Sequence, residues 1–106
     1  MRSIRLKERD VERYLALSVK KLGGSIRKLK WIGRTGAPDR LVLLNDHYFV
    51  ELKRPGGKLR AAQVREIEIL KRNGCNVFVI DSLDKVDDFC SICSKRIPDN
   101  CQELDH

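Results

Sequence analysis

The part of the sequence that decides the fold is GAPDR at positions 36–40, followed by ELK at positions 51–53. Two short apolar runs lie between these clusters, on either side of the polar segment 45–47. Runs of strand length around a short polar turn predict a β-hairpin. The charged residues of the two clusters would then lie in or beside apolar strands. Because burying an unpaired charge costs several kcal/mol, we expect them to pair with one another or to bind a cation.

The spacing within the predicted hairpin determines which side chains share a face of the sheet. Strand side chains alternate between faces, and the loop length sets which residues lie opposite each other. With the three polar residues 45–47 as the loop, Asp39 lies opposite Lys53 and Leu41 lies opposite Glu51. The two acids and the lysine then project from one face, whereas a two- or four-residue loop would separate them. Two carboxylates on one face can converge on a single divalent ion, at about 2.0–2.1 Å if it is magnesium.

Apolar periodicity along the rest of the chain predicts three helices and two further strands. The predicted helices cover about 8–22, 60–73 and 82–93, and the predicted strands cover 25–31 and 76–80. We expect the first of these strands at the outer edge of the sheet, because lysines alternate with its apolar residues. The second is apolar on both faces, as in a central or parallel strand.

The length of 106 residues suits one domain with a single core, expected over about residues 8–80. Residues 81–106 are expected to form a short helix followed by an irregular acidic tail. No apolar run approaches the roughly 18 residues of a membrane span, so no membrane partner is expected. The N-terminal residues lack the apolar segment of a secretory signal, and we therefore expect a cytoplasmic protein.

The net charge of +7 is unevenly distributed along the chain. Residues 1–80 carry 19 Lys and Arg against 8 Asp and Glu, whereas residues 81–106 carry 3 against 7. Such asymmetry is typical of a polyanion-binding body with an acidic tail. A solvated basic surface without a partner is equally compatible with the charge alone.

Two polar residues at the borders of apolar helix faces are further candidates for the site. Glu12 lies beside the apolar stripe of the first helix, where it is either solvated or directed into the site. Gln63 lies one turn before the apolar residues of the second helix, where it either satisfies a backbone group or contributes to the site.

The cysteines near the C-terminus allow a structural zinc hypothesis. Cys90, Cys93 and Cys101, with His106, supply enough ligands for a tetrahedral Zn²⁺ site. Their spacing is irregular, and free thiols in a reducing cytoplasm are the expected alternative.

The GAPDR stretch, the segment FVELKRPGG at 49–57 and Gln63 together resemble the virus-type replication-repair nuclease family (VRR-NUC) of the PD-(D/E)XK nuclease superfamily. The similarity extends from about Glu12 to Ile80. The glycine before the proline, the glycine pair after the lysine and the helical glutamine make the match more specific than PD and ExK alone.

The resemblance implies an α/β fold with an α-β-β-β-α-β, restriction-endonuclease-like core, in which helices flank both faces of a central mixed sheet. It implies that Asp39 and Glu51 bind Mg²⁺ or Mn²⁺ while Lys53 and Gln63 assist. The N-terminal helix of the family carries a glutamate at the site, for which Glu12 is the matching candidate and Glu8, one turn earlier, the fallback. Stand-alone members are similar to junction-cleaving enzymes that act as dimers, which implies a homodimer.

The combined hypothesis is a divalent-metal-dependent DNA endonuclease of phage or bacterial type, selective for branched DNA such as four-way junctions. A cation held by the acids would offset charge in the transition state and lower the pKa of a bound water. Eight basic residues are expected to contact DNA phosphates: Arg27, Lys28, Lys30, Arg34, Arg40, Arg54, Lys58 and Arg60. The alternatives are a nuclease for linear duplex with the same fold and an inactive nucleic-acid-binding module.

Overall fold

The computed structural model describes residues 5–96 as three helices and four strands. In chain order they are α1 (Glu8–Lys21), β1 (Ser25–Lys28), β2 (Arg40–Leu43), β3 (His47–Leu52), α2 (Ala61–Arg72), β4 (Val77–Ile80) and α3 (Leu83–Lys95). The order through β4 is the predicted α-β-β-β-α-β core. None of these helices has the length and apolar character needed to cross a bilayer.

The four strands form one mixed sheet in the order β1-β2-β3-β4. The first two pairings are antiparallel, whereas β4 runs parallel to β3. The predicted outer position of β1 is confirmed, although the strand ends at Lys28 rather than at 31. The parallel direction of β4 is also confirmed, but β4 lies at an edge and not at the centre. Its apolar character arises because α2 and α3 both pack against it.

The predicted hairpin is present, but its register differs from the sequence prediction. Val42 lies opposite Tyr48 and Leu41 lies opposite Phe49, so the three-residue loop is 44–46 and not 45–47. The turn moves back by one residue because Asn45 adopts a left-handed backbone, with φ of 61°. Asparagine tolerates this conformation better than most residues do. The loop length is unchanged, so the predicted parity of the strand side chains survives.

The hydrophobic core lies on one face of the sheet, between the strands and the helices α1 and α3. It contains Val11 and Leu15 of α1, Tyr48 and Val50 of β3, and Phe89 of α3, all 0–1% exposed. Helix α3 therefore belongs to the core, which extends beyond the predicted limit at residue 80. It begins as expected at Ser82, whose Oγ accepts a hydrogen bond from the Lys85 amide.

Helix α2 packs on the opposite face of the sheet. Its one buried residue, Ile67, lies outside the main cluster, so the sheet separates two layers of helices. This arrangement leaves odd-numbered residues of β3 facing α2 and even-numbered residues facing the core. The face toward α2 carries the charged residues of the ELK segment.

Candidate active site

Glu51 and Asp39 lie at the same end of the β2–β3 hairpin. Arg40 is paired with Val50, so Asp39, which precedes it, continues the register toward Glu51. The sequence prediction had placed Asp39 opposite Lys53, two residues further on. The corrected register keeps Asp39, Glu51 and Lys53 on the face toward α2 and brings the two acids closer along the ladder. Asp39 has a side chain 54% exposed, whereas Glu51 is only 7% exposed.

The environment of Glu51 opposes its negative charge. Burial raises its pKa to about 7, and the neighbouring charges of Asp39 and Glu8 act in the same direction, while Lys53 and Arg40 lower it. A buried carboxylate next to a second acid is electrostatically costly without a compensating cation. This pair of acids is therefore suited to hold a divalent ion.

Gln63 connects the start of α2 to Glu51. Its Oε1 accepts a hydrogen bond from the Arg60 amide at 2.8 Å, and its Nε2 donates to Glu51 Oε2 at 3.4 Å. One amide group thus satisfies the helix N-terminus and also contacts the carboxylate, while a role of Gln63 in the reaction stays a prediction. The hydrogen bond from the Arg60 amide to Oε1 fixes the orientation of the Gln63 side chain, so that its Nε2 is directed at Glu51.

Glu12 does not contact Glu51 but pairs with Arg40. The Arg40 guanidinium donates through Nε to Glu12 Oε2, its Nη2 forms an ion pair with the same oxygen, and its Nη1 lies 2.9 Å from Asp39 Oδ1. The Arg40 side chain is 9% exposed, and both partners raise its pKa against the opposing effect of burial. Arg40 thus forms a buried bridge from α1 to Asp39. This contact contrasts with the surface DNA contact expected from the sequence.

Glu8 is the acid of α1 whose charge acts on Glu51. It lies one turn before Glu12 and is exposed at the start of the helix. The sequence offered it only as the fallback, because helical spacing does not show which turn of α1 faces the hairpin.

The loop between β1 and β2 is fixed to both the hairpin and α2. Trp31 Nε1 donates to the Pro38 carbonyl at 2.7 Å, and its ring packs against Phe49 with centroids 5.8 Å apart. Gly36, with φ of 91°, lies so close to α2 that a Cβ there would be 2.7 Å from the Ala62 carbonyl carbon. These contacts position Asp39 relative to Gln63. The glycines and the proline of the loop indicate a turn, but no pattern in the sequence indicates the Trp31 contacts.

Seven of the eight predicted DNA-contacting residues have exposed side chains; the exception is Arg40. The exposed residues lie on β1 and the two loops beside the acids. Arg34 is held in place by Glu66, with Nε 3.2 Å from Oε1 and Nη2 2.5 Å from Oε2. This bidentate pair attaches the β1–β2 loop to α2.

The cysteines of α3, Cys90 and Cys93, lie in the hydrophobic core. Cys93 is fully buried, and burial raises its pKa to about 11. Burial also raises the pKa of Cys90. Cys101 and His106 lie outside the described residues. Within residues 5–96, no three His, Cys, Asp or Glu side chains converge as a metal site.

The two acids, the lysine and the mixed sheet between helices are the features of a restriction-endonuclease-like nuclease domain. A phage protein, "Putative nuclease p44" of Acyrthosiphon pisum secondary endosymbiont phage 1, is 44% identical over 81 residues, covering 74% of this chain and 87% of that protein. A solved structure described as "VRR_NUC domain" matches with a TM-score of 0.72 and 40% identity, covering 79% of this chain and 94% of that chain. No family model matches the chain.

The identity to the phage protein and the likeness to the solved domain assign the family. The chain belongs to the VRR-NUC family of nucleases.

Proposed function

We propose that this protein is a Mg²⁺- or Mn²⁺-dependent DNA endonuclease that prefers branched DNA. The observation that carries the proposal is the buried, electrostatically unfavourable Glu51 beside Asp39 on one end of the hairpin. Two carboxylates suffice for Mg²⁺, which usually completes its octahedron with water and substrate phosphate oxygens. The absence of a third protein ligand among residues 5–96 is therefore compatible with this ion.

Asp39 and Glu51 would hold the ion directly. Glu8 of α1, whose charge acts on Glu51, would be a further acid of the site. A divalent ion bound there would supply charge neutralisation at the phosphate and activation of the attacking water. Lys53 shares the strand face with Glu51 and acts on its pKa. Its ammonium would orient the water or offset the developing charge. Gln63 would keep Glu51 oriented through its 3.4 Å hydrogen bond.

Glu12 would act in this site through Arg40. The sequence-based role of Glu12 as a metal ligand stays a prediction, but its contact with Arg40 favours a positioning role. Because the same guanidinium contacts Asp39 Oδ1 at 2.9 Å, the pair would hold that carboxylate in one orientation. A preoriented ligand loses less conformational freedom when the ion binds.

The exposed cations around the acids support DNA as the substrate. Lys28 and Lys30 lie on one side of the hairpin end, and Arg54 and Lys58 lie in the loop on the other side. Positive side chains on both sides of an acidic site would bind phosphates without reading the bases. The acids would then repel DNA unless a divalent ion neutralised them.

Branched-DNA preference and a homodimer are proposed together, following the resemblance to dimeric junction-cleaving enzymes. A four-way junction has two-fold symmetry, so paired cuts need two equivalent active sites. Leu17 of α1 and Leu22, the residue just after α1, are 61% and 47% exposed and offer apolar surface for a second copy. Sedimentation equilibrium should give twice the monomer mass, and a monomer at all concentrations would contradict the homodimer.

The function is tested by incubating the protein with labelled four-way junction and with linear duplex of the same sequence, in Mg²⁺, Mn²⁺ or chelator. The proposal predicts metal-dependent cuts near the branch point and much slower cleavage of the linear form. Asp39→Ala should abolish cleavage, whereas the matched acid Asp88→Ala, on the exposed face of α3, should retain it. Cutting in chelator, or by Asp39→Ala, would contradict the site. Metal-dependent cutting of linear duplex alone would contradict the branch preference.

A further inference from the structure

Ile32 is the most exposed large apolar residue in the described part of the chain. Its relative exposure is 92%, against 61% for Leu17, the next highest. Single exposed apolar residues are common on protein surfaces and need no function. The position of Ile32, in the β1–β2 loop that leads to Asp39, is what distinguishes it.

The loop presents Ile32 from a fixed base. The preceding residue, Trp31, is held by the Pro38 carbonyl and the Phe49 ring. Two positions further on, Arg34 forms its bidentate pair with Glu66 of α2. Ile32 therefore lies between two anchored residues, and its β-branched side chain has few rotamers to lose on binding. A loop ordered in this way exposes the side chain without a large entropic cost when a partner covers it.

The anchors also place Ile32 beside the candidate active site. Phe49, on which Trp31 packs, is two residues before Glu51 on the same strand face, and Pro38 immediately precedes Asp39. The Leu29 amide donates to the Asp39 carbonyl at 2.8 Å, which ties the other end of the loop to the same strand. A nucleic acid whose phosphate reaches the acids would therefore pass close to Ile32.

The charges around Ile32 favour nucleic acid over an apolar protein partner. The exposed residues Lys30 and Arg34 flank it at two positions on either side. Lys30 can bind a phosphate, and so can Nη1 of Arg34, the guanidinium nitrogen that does not contact Glu66. An apolar side chain between two such groups is arranged like the wedges that enter base steps of bound DNA. Unstacking a step costs a few kcal/mol in duplex but less where the bases are already unpaired.

We infer that Ile32 inserts into the base stack of bound DNA beside the cleaved phosphate and thereby favours substrates with a branch point. This inference rests on the proposed function and names a residue that would produce its substrate preference. Ile32 contributes no chemistry to the reaction.

The test uses 2-aminopurine, whose fluorescence rises when it is unstacked, placed in turn at each position around the branch point of a four-way junction. The protein is added in Ca²⁺ without Mg²⁺ or Mn²⁺, so that binding is followed independently of cleavage. We expect a fluorescence rise at one position with the wild type and its loss with Ile32→Ser. Ile32→Leu should keep most of the rise. The matched control is Ile92→Ser on α3, where Ile92 is 42% exposed, and it should behave as the wild type.

A competition assay with junction and linear duplex gives a second readout. The ratio of junction to linear duplex bound should fall by about tenfold or more with Ile32→Ser, because the unstacking cost of one duplex step exceeds the roughly 1.4 kcal/mol of a tenfold change. No rise at any position with the wild type, or an unchanged rise and preference with Ile32→Ser, would overturn the inference. Equal weakening on both DNAs would assign Ile32 to general affinity and would also overturn it. If the labelled junction were not cleaved in Mg²⁺ or Mn²⁺ but the fluorescence rise were retained, the nuclease proposal alone would be refuted.

Discussion

Replacing Glu51 by glutamine should stabilise the metal-free protein, and the gain should depend on pH. The folded protein raises the pKa of Glu51 to about 7 from its ordinary value of 4.5, chiefly through burial. The folded state therefore binds this proton more tightly than the unfolded state does. The free energy of unfolding of the wild type falls as pH rises through the window from 4.5 to about 7, and the loss persists above it. Glutamine carries no charge and avoids this loss.

The size of the effect follows from the shift in pKa. Each unit corresponds to about 1.4 kcal/mol, so the shift corresponds to roughly 3 kcal/mol at pH 8 and to almost nothing near pH 4.5. The hydrogen bond from Gln63 can still form to the amide oxygen of Glu51→Gln. We expect Glu51→Gln to raise the free energy of unfolding by about 2–3 kcal/mol at pH 8. The gain is somewhat below the value from the pKa shift, because water and nearby dipoles reorient around the charged Glu51 and lower its cost.

The assay is urea denaturation in chelator at pH 5 and pH 8, comparing the wild type, Glu51→Gln and Glu68→Gln. Glu68 is an exposed acid of α2, so its replacement should change stability by less than about 0.5 kcal/mol at both pH values. Adding Mg²⁺ at pH 8 should stabilise the wild type but not Glu51→Gln. Equal or lower stability of Glu51→Gln at pH 8 would refute the argument that Glu51 is held at an electrostatic cost.

Three further predictions concern the parts that support the two acids. Asp39→Asn should remove the Mn²⁺-dependent rise in melting temperature and reduce cleavage by about 10³-fold or more, checked by thermal denaturation and the junction assay; a retained metal effect would contradict it. Glu12→Gln should weaken Mn²⁺ binding in calorimetry by about tenfold, because Arg40 would lose the charged partner that holds it and would orient the Asp39 carboxylate less firmly; unchanged affinity would remove Glu12 from the site. Gly36→Ala should cost at least about 2 kcal/mol in urea denaturation, and Gly33→Ala, with positive φ but open space around it, about 1 kcal/mol; equal costs would contradict close packing at Gly36.

The sequence predicted the architecture and the face that carries the acids because both depend on periodicity. The alternation of β2 and β3 survives the error in loop position, since both loops contain three residues. The exact register could not be predicted, because it depended on the left-handed backbone of Asn45. Apolar content alone likewise could not tell an edge strand covered by two helices from a central strand, as β4 shows.

The sequence was a better guide to which residues lie at the site than to which side chains contact one another there. The link from Glu12 to Asp39 passes through Arg40, and only the packing of α1 against the hairpin brings these residues together. The one available signal was an arginine at the start of an apolar strand, because a charge that becomes buried there requires acidic partners. The Trp31 contacts depend on the path of a loop whose sequence has no periodicity.

The most direct test of the two-carboxylate metal site is anomalous diffraction from crystals grown with Mn²⁺ and a DNA junction. The proposed site predicts a manganese peak within coordination distance of both Asp39 and Glu51 and of a DNA phosphate. A manganese peak coordinated elsewhere, or carboxylates of Asp39 and Glu51 turned away from one another around a bound phosphate, would contradict it.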